Sequence, residues 1–183
     1  MRDRLLAAAA AAVVFVCAST AAAKVFLTQD EAVKLAFPGA SVERKTFFLT
    51  QAEQQQVQKL SGGPAPSALA VAYVAVRDGT VTGTAYFDTH VVRTQQETLM
   101  VAVDPQGAVF RIEVLSFSEP EEYLPREHWY GQFQGRKLDD DLALSRGIRA
   151  VSGATLTARA TTETARRVLA LHAVLARRGR AAA

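Results

Sequence analysis

A chain of 183 residues, 49% apolar and 21% charged, suits one globular domain with a core of its own. The formal charge is only +3, and no basic patch is interleaved with aromatics, which excludes a nucleic-acid-binding surface. The basic excess gathers near the C-terminus, in Arg166, Arg167, Arg177, Arg178 and Arg180, where cations complement a helix dipole.

The N-terminus reads as an export signal. Arg2 and Arg4 form its charged region, Leu5 to Val16 its apolar region, and Ala21-Ala22-Ala23 a small-residue cleavage site. Left uncleaved, the uncharged run from Leu5 to Ala23 is long enough to span a bilayer, so a retained anchor is the alternative. Alanine is weakly hydrophobic and favours the cleaved form. Cys17 follows the bulky Val16, unlike the small residue before a lipoprotein cysteine. Cleavage removes that cysteine, the chain's only one, and with it any disulfide or thiolate site. Residues 1–23 are thus the signal or anchor, and 24–183 form one domain exported to the periplasm or the outer face of the membrane.

Two helix starts of the same kind follow. Thr28-Gln29-Asp30-Glu31 and Thr50-Gln51-Ala52-Glu53 both fit the capping box, in which Thr and Glu satisfy each other's backbone amides. Pro38-Gly39 stops the first helix near Phe37. Val42, Phe47 and Leu49 suggest a short strand between Ala40 and Leu49. The second helix offers Val57 and Leu60 as apolar contacts, and Ser61 to Ser67 is a loop. From Ala68 the pattern becomes β. Val71 to Val76 and Thr80 to Val92 are strands around the hairpin pair Asp78-Gly79. Thr98 to Val103 and Val109 to Phe117 form a second hairpin around Asp104 to Gly107. The last helix repeats Ala165, Val168, Leu171 or His172, and Leu175 at helical spacing, and its apolar stripe covers one face of the sheet. The fold class is therefore α+β, an antiparallel sheet of about four to six strands packed by helices.

Glu119 to Arg136 is irregular and holds the densest aromatic cluster, with Tyr123, Trp129, Tyr130 and Phe133. Such a segment beside a sheet commonly lines a pocket. Each aromatic equally suits the core.

Ser152-Gly153-Ala154-Thr155-Leu156-Thr157 opens the last helix. Gly153 and Ala154 keep bulk away from the backbone. Thr155 places an alcohol beside amides that have no intrahelical partner, and those amides favour a phosphate. The same residues also suit a plain helix N-cap.

Ser152-Gly153-Ala154-Thr155 resembles the S/T-G-A-T flavinylation motif of the FMN-binding domain family. That family includes the covalent-flavin subunits C and G of the sodium-translocating NADH:quinone oxidoreductase and Rnf complexes. The resemblance runs roughly from Ala70 to Leu175 and takes in Glu119-Pro120 and the run Gln132 to Arg136. It implies FMN joined through its phosphate to Thr155 by a flavin transferase, with Glu119 and Phe133, Gly135 and Arg136 around the flavin. It further implies electron transfer with membrane or periplasmic redox proteins, as a redox subunit rather than a stand-alone enzyme. Tyr123, Trp129 and Phe133 are candidate walls for the ring, and Arg136 a donor at its edge. His90 or Arg93 is a candidate to stabilise charge on the reduced flavin, against a structural role for a lone histidine. Arg149 departs from the motif, which carries Asp three residues before the Ser. This departure favours a second reading, a module that binds FMN or another small ligand without a covalent bond, in sensing or assembly. A flavin reductase ranks third, because no separate substrate site is legible.

Other chemistries fit poorly. The three histidines share no ligand spacing. Asp139-Asp140-Asp141 lacks the EF-hand pattern. Ser152 lacks the leading glycine of a nucleophile elbow, and no GxGxxG occurs.

Overall fold

The computed structural model describes residues 24–181, so the expected signal or anchor lies outside the described residues. In chain order they form β1 (Lys24–Val25), α1 (Gln29–Ala36), β2 (Ser41–Phe48), α2 (Gln51–Ser61), β3 (Leu69–Arg77) and β4 (Thr80–Val91). β5 (Gln96–Val103), β6 (Val109–Phe117), the single turn α3 (Glu127–Tyr130) and the long α4 (Thr155–Ala181) complete the order.

Both capping boxes form. Thr28 and Thr50 accept from the Glu31 and Glu53 amides, and each glutamate carboxylate accepts from the threonine amide at 2.8 Å. Asp78 and Gly79 take φ of 51° and 74°, the left-handed pair whose twist matches a two-residue hairpin. Asp104 closes the β5–β6 turn by accepting from the amides of Gln106 and Ala108. These local devices yield a six-stranded antiparallel sheet in the order β1-β6-β5-β4-β3-β2.

Strand alternation divides the core between two faces. Leu99, Val101 and Val103 pack toward α4, while Met100 and Ala102 pack toward α1. The sequence assigns a cover to one face only; the structure covers both. The second cover is α1, whose Ala32, Val33 and Ala36 are buried with Phe37 at its end. Close approach is possible because β4 carries Gly83, where a Cβ would stand 2.5 Å from the Phe37 ring and 2.9 Å from the Val103 carbonyl. α2 lies against α4 instead, with Val57 on Ala170 and Val174.

The irregular stretch between β6 and α4 satisfies its backbone through arginines rather than a ladder. Arg136 donates to the carbonyls of Gln132 and Gly147, and Arg166 donates to those of Ser61, Asp139 and Leu142. Asp139 itself accepts from the amides of Asp141 and Leu142, which makes the acidic run a turn.

Candidate functional site

Val151 to Thr155 builds the start of α4. Gly153 sits at φ 83°, a left-handed conformation open to glycine at little cost. That turn brings the Ala154 amide to the Val151 carbonyl at 3.2 Å, and the first helical bond runs from Ala158 to Ala154 at 2.9 Å. Ala154 therefore occupies the cap, and an alanine has no oxygen to cap with. Thr155 is the first helical residue, not the cap. Its side chain is exposed and its Oγ1 donates to the Val151 carbonyl at 3.1 Å. Among the described residues, the amides of Thr155, Leu156 and Thr157 have no hydrogen-bond acceptor. Three parallel N–H groups at the positive end of a helix of 27 residues make a site for an anion.

A cleft of about 180 Å³ lies against these amides, lined by Val92, Arg93, Glu119, Tyr123 and Gly153 to Thr157. Its one cation is the exposed Arg93, whose guanidinium lies 5.6 Å from the Tyr123 ring centroid and donates to the phenol at 3.4 Å. Glu119 holds that arm in place. Its Oε1 accepts from the amides of Thr94 and Gln95 at 2.6 and 2.8 Å and from the Thr94 hydroxyl at 3.1 Å. The Thr94 amide, foremost among these donors, keeps the Glu119 carboxyl below the usual carboxylate range. Thr157 ties the other wall by donating to the Tyr123 carbonyl at 2.5 Å. A larger cleft of about 450 Å³ runs along β6 past Phe26 and Phe110. It takes in Tyr130 and Gln134 but none of Ser152 to Thr157 and not the start of α4, so the smaller cleft is the candidate site.

The structure thus brings Glu119, Tyr123, Gly153, Ala154, Thr155, Leu156 and Thr157 together, with Ser152 exposed at the adjoining turn. It does not bring Trp129, Phe133, Gly135 or Arg136 into the cleft. Trp129 and Phe133 are buried in the core under α4, stacked edge to face at 5.3 Å. The indole donates to the Arg149 carbonyl at 2.7 Å. Gly135 makes a turn at φ 77°, and Arg136 is spent on backbone carbonyls. Large apolar rings gain more from full burial than from a cleft wall. Arg149 is exposed, and both its amide and its side chain donate to Gln132 Oε1.

His90 is placed two residues before the cleft, in a charged network between β4, β5 and α4. Its Nδ1 lies 3.0 Å from Asp88 Oδ1 and its Nε2 3.0 Å from Glu97 Oε2. Arg167 pairs with Asp88 through two bonds, 2.7 and 3.0 Å, and Thr164 joins Arg167 and His90. Burial alone would lower the imidazole, but hydrogen bonds to both carboxylates raise it to about 9. Burial would raise Asp88, yet His90 and Arg167 bring it down to about 2. Neither Asp88 nor Glu97 stood out in the sequence. The available signal was strand parity, which puts residues 88, 90 and 97 on the sheet face that meets α4.

An α+β domain whose uncapped helix start faces a small cleft with one arginine is, by fold and site, suited to hold an anion. Residues 70–170 match the model of the FMN-binding domain family, more than half of the chain, and the chain belongs to that family. No curated protein matches it. Among solved structures, the chain is similar to NqrC from Shewanella oneidensis, with a TM-score of 0.52 at 16% identity over 74% of this chain and 85% of that one. That likeness is one of fold.

Proposed function

We propose that this flavoprotein is exported and carries electrons through FMN held by a phosphoester to Thr155. The observation that carries the reading is the accessible Thr155 hydroxyl beside three amides without acceptors, on a helix capped by alanine. A phosphodiester between the ribityl chain of FMN and that oxygen puts its two non-bridging oxygens within reach of those amides. Arg93 then faces the cofactor across the cleft, and Leu156, 49% exposed, offers an apolar edge to the ring. FMN supplies the electron-transfer chemistry; the chain binds it, fixes its position and sets the charge around it. The cleft is smaller than a flavin, so part of the ring stands outside, open to a protein donor or acceptor. Covalent attachment suits an exported domain, because a dissociated FMN is lost outside the cell. A flavin transferase makes the bond, and membrane or periplasmic redox proteins exchange the electrons. No helix among the described residues is long and apolar enough to cross a membrane.

A second reading, non-covalent binding of FMN in sensing or assembly, is favoured by Arg149, which stands where the motif carries Asp. One experiment separates the two. The chain is coexpressed with a flavin transferase, denatured, and checked for flavin fluorescence on a gel and for intact mass. The covalent reading expects a fluorescent band that disappears in Thr155→Ala and persists in Ser152→Ala. It also expects Arg149→Asp to raise the modified fraction several-fold. A wild-type band that stays dark while the native chain still quenches free FMN supports the second reading.

A further inference from the structure

Three buried oxygens without a hydrogen-bond partner lie on three different elements: Glu97 Oε1 on β5, Tyr130 Oη on α3 and Thr161 Oγ1 on α4. Glu97 and Thr161 are 0% exposed. The Tyr130 phenol is close enough to both to feel them. Burial chiefly raises its ionisation, the Glu97 charge adds to that, and the Thr161 hydroxyl opposes it. A carboxylate, a phenol and an alcohol offer donors and acceptors for one water, which takes two to four partners inside proteins.

Two routes lead from these oxygens. Toward the cleft, Thr161 is followed one turn back by Thr157, on the same face of α4 and equally buried. Thr157 lines the cleft, and one helical turn rises about 5.4 Å, a gap that one water bridges. Toward solvent, Glu97 Oε2 meets His90, His90 meets Asp88, and Asp88 meets Arg167, with side chains 20% and 18% exposed. We propose that Glu97, His90, Tyr130 and Thr161, joined by one internal water, form a buried proton-holding site that answers charge in the flavin cleft.

The proposal rests on the reading that FMN occupies that cleft and receives electrons from a protein donor. When they arrive, negative charge develops beside Thr157. One proton then passes from His90 to Glu97, and solvent returns one to His90. Only O–H and N–H bonds form and break, and the donor supplies every electron. All charged neighbours of the pair take part: Asp88 and Arg167 flank His90, Tyr130 faces Glu97 from α3, and β6 places the apolar Phe117 opposite Glu97. His90 is raised by its carboxylates, while burial raises Glu97 against the opposing His90. The two therefore compete for the same proton.

The test has two arms. In the flavin-free chain, NMR follows the His90 ring against pH and records water contacts to Tyr130 and Thr161. Wild type is expected to show a long-lived water there and an imidazole that titrates well above 7. Glu97→Gln should lower that midpoint by at least tenfold in proton affinity, and Tyr130→Phe, which removes neither charge, should abolish the water contact. In the FMN-loaded chain, the flavin midpoint potential is measured from pH 5 to 10. Wild type should bend within that range, and Glu97→Gln should lose the bend. An ordinary His90 titration, no ordered water, or identical potential curves in wild type and Glu97→Gln overturns the proposal. Failure of the chain to hold FMN sinks the functional reading instead, and the flavin-free arm still decides the proton site.

Discussion

The choice of alanine at position 154 joins stability to function. Ser, Thr, Asp or Asn at a helix cap stabilises by about 1 kcal/mol relative to Ala, yet this helix of 27 residues does without one. A side-chain oxygen there would accept from the amides that line the cleft. Ala154→Ser is therefore expected to raise stability by about 0.5–1 kcal/mol while weakening the hold on FMN several-fold. Thermal melting and fluorescence titration of the same preparation check both halves. A variant that gains stability and keeps full FMN affinity would show that the free amides are not the phosphate site. Gly153 works in the opposite direction, since its φ of 83° is demanded by the turn. Thr155 then stands exposed at the first helical position, its hydroxyl on the Val151 carbonyl.

Among the elements, α1 is small and its docking is tight. Its apolar stripe is made of alanines and one valine, so it reaches the sheet only where β4 carries no side chain. Gly83→Ala would drive a methyl into the Phe37 ring. The expected loss is about 1–3 kcal/mol, as for overpacking elsewhere, seen as a lower melting temperature with FMN binding unchanged. Full stability in that variant would mean that α1 sits loosely on the sheet. The same comparison marks what the sequence made legible. Capping boxes at Thr28 and Thr50 and the Asp78-Gly79 turn are settled by chemistry within four residues, and they form where the sequence puts them. The two-residue β1 depends on Phe117 and Ser116, far along the chain, and nothing local announces it. The aromatic cluster was legible as apolar but not by side: Tyr123 reaches the cleft while Trp129 and Phe133 turn into the core. Arg136 reads as an exposed donor until Gly147, distant in sequence, supplies its carbonyl.

Across the whole molecule, the Asp88–His90–Glu97–Arg167 network ties the middle of the sheet to the helix that begins at the candidate cleft, so pH acts on both together. His90 rises from 6.5 to about 9 in the folded chain. Its contribution is fully present below 6.5 and is lost as pH climbs through about 9. Glu97, raised by burial first, works in the same direction, because the folded chain favours its protonated form. Asp88 falls from 3.8 to about 2, so its contribution is present above 3.8 and lost as pH drops through about 2. Glu31 and Glu53, lowered first by the backbone amides of Thr28 and Thr50, also lose stability on the acid side. Thermal melts should therefore be highest from roughly pH 4.5 to 6.5 and decline toward 9, by on the order of 2 kcal/mol, given about 1.4 kcal/mol per pKa unit and a proton shared within the pair. Glu97→Gln should flatten the alkaline decline, because removing one of the two carboxylates lets the imidazole fall toward its ordinary value. Wild-type stability that stays level or rises between pH 6.5 and 9 would show that the imidazole is not held charged between Asp88 and Glu97. The Arg167–Asp88 pair would then carry the charged tie between the sheet and the helix that bears Thr155.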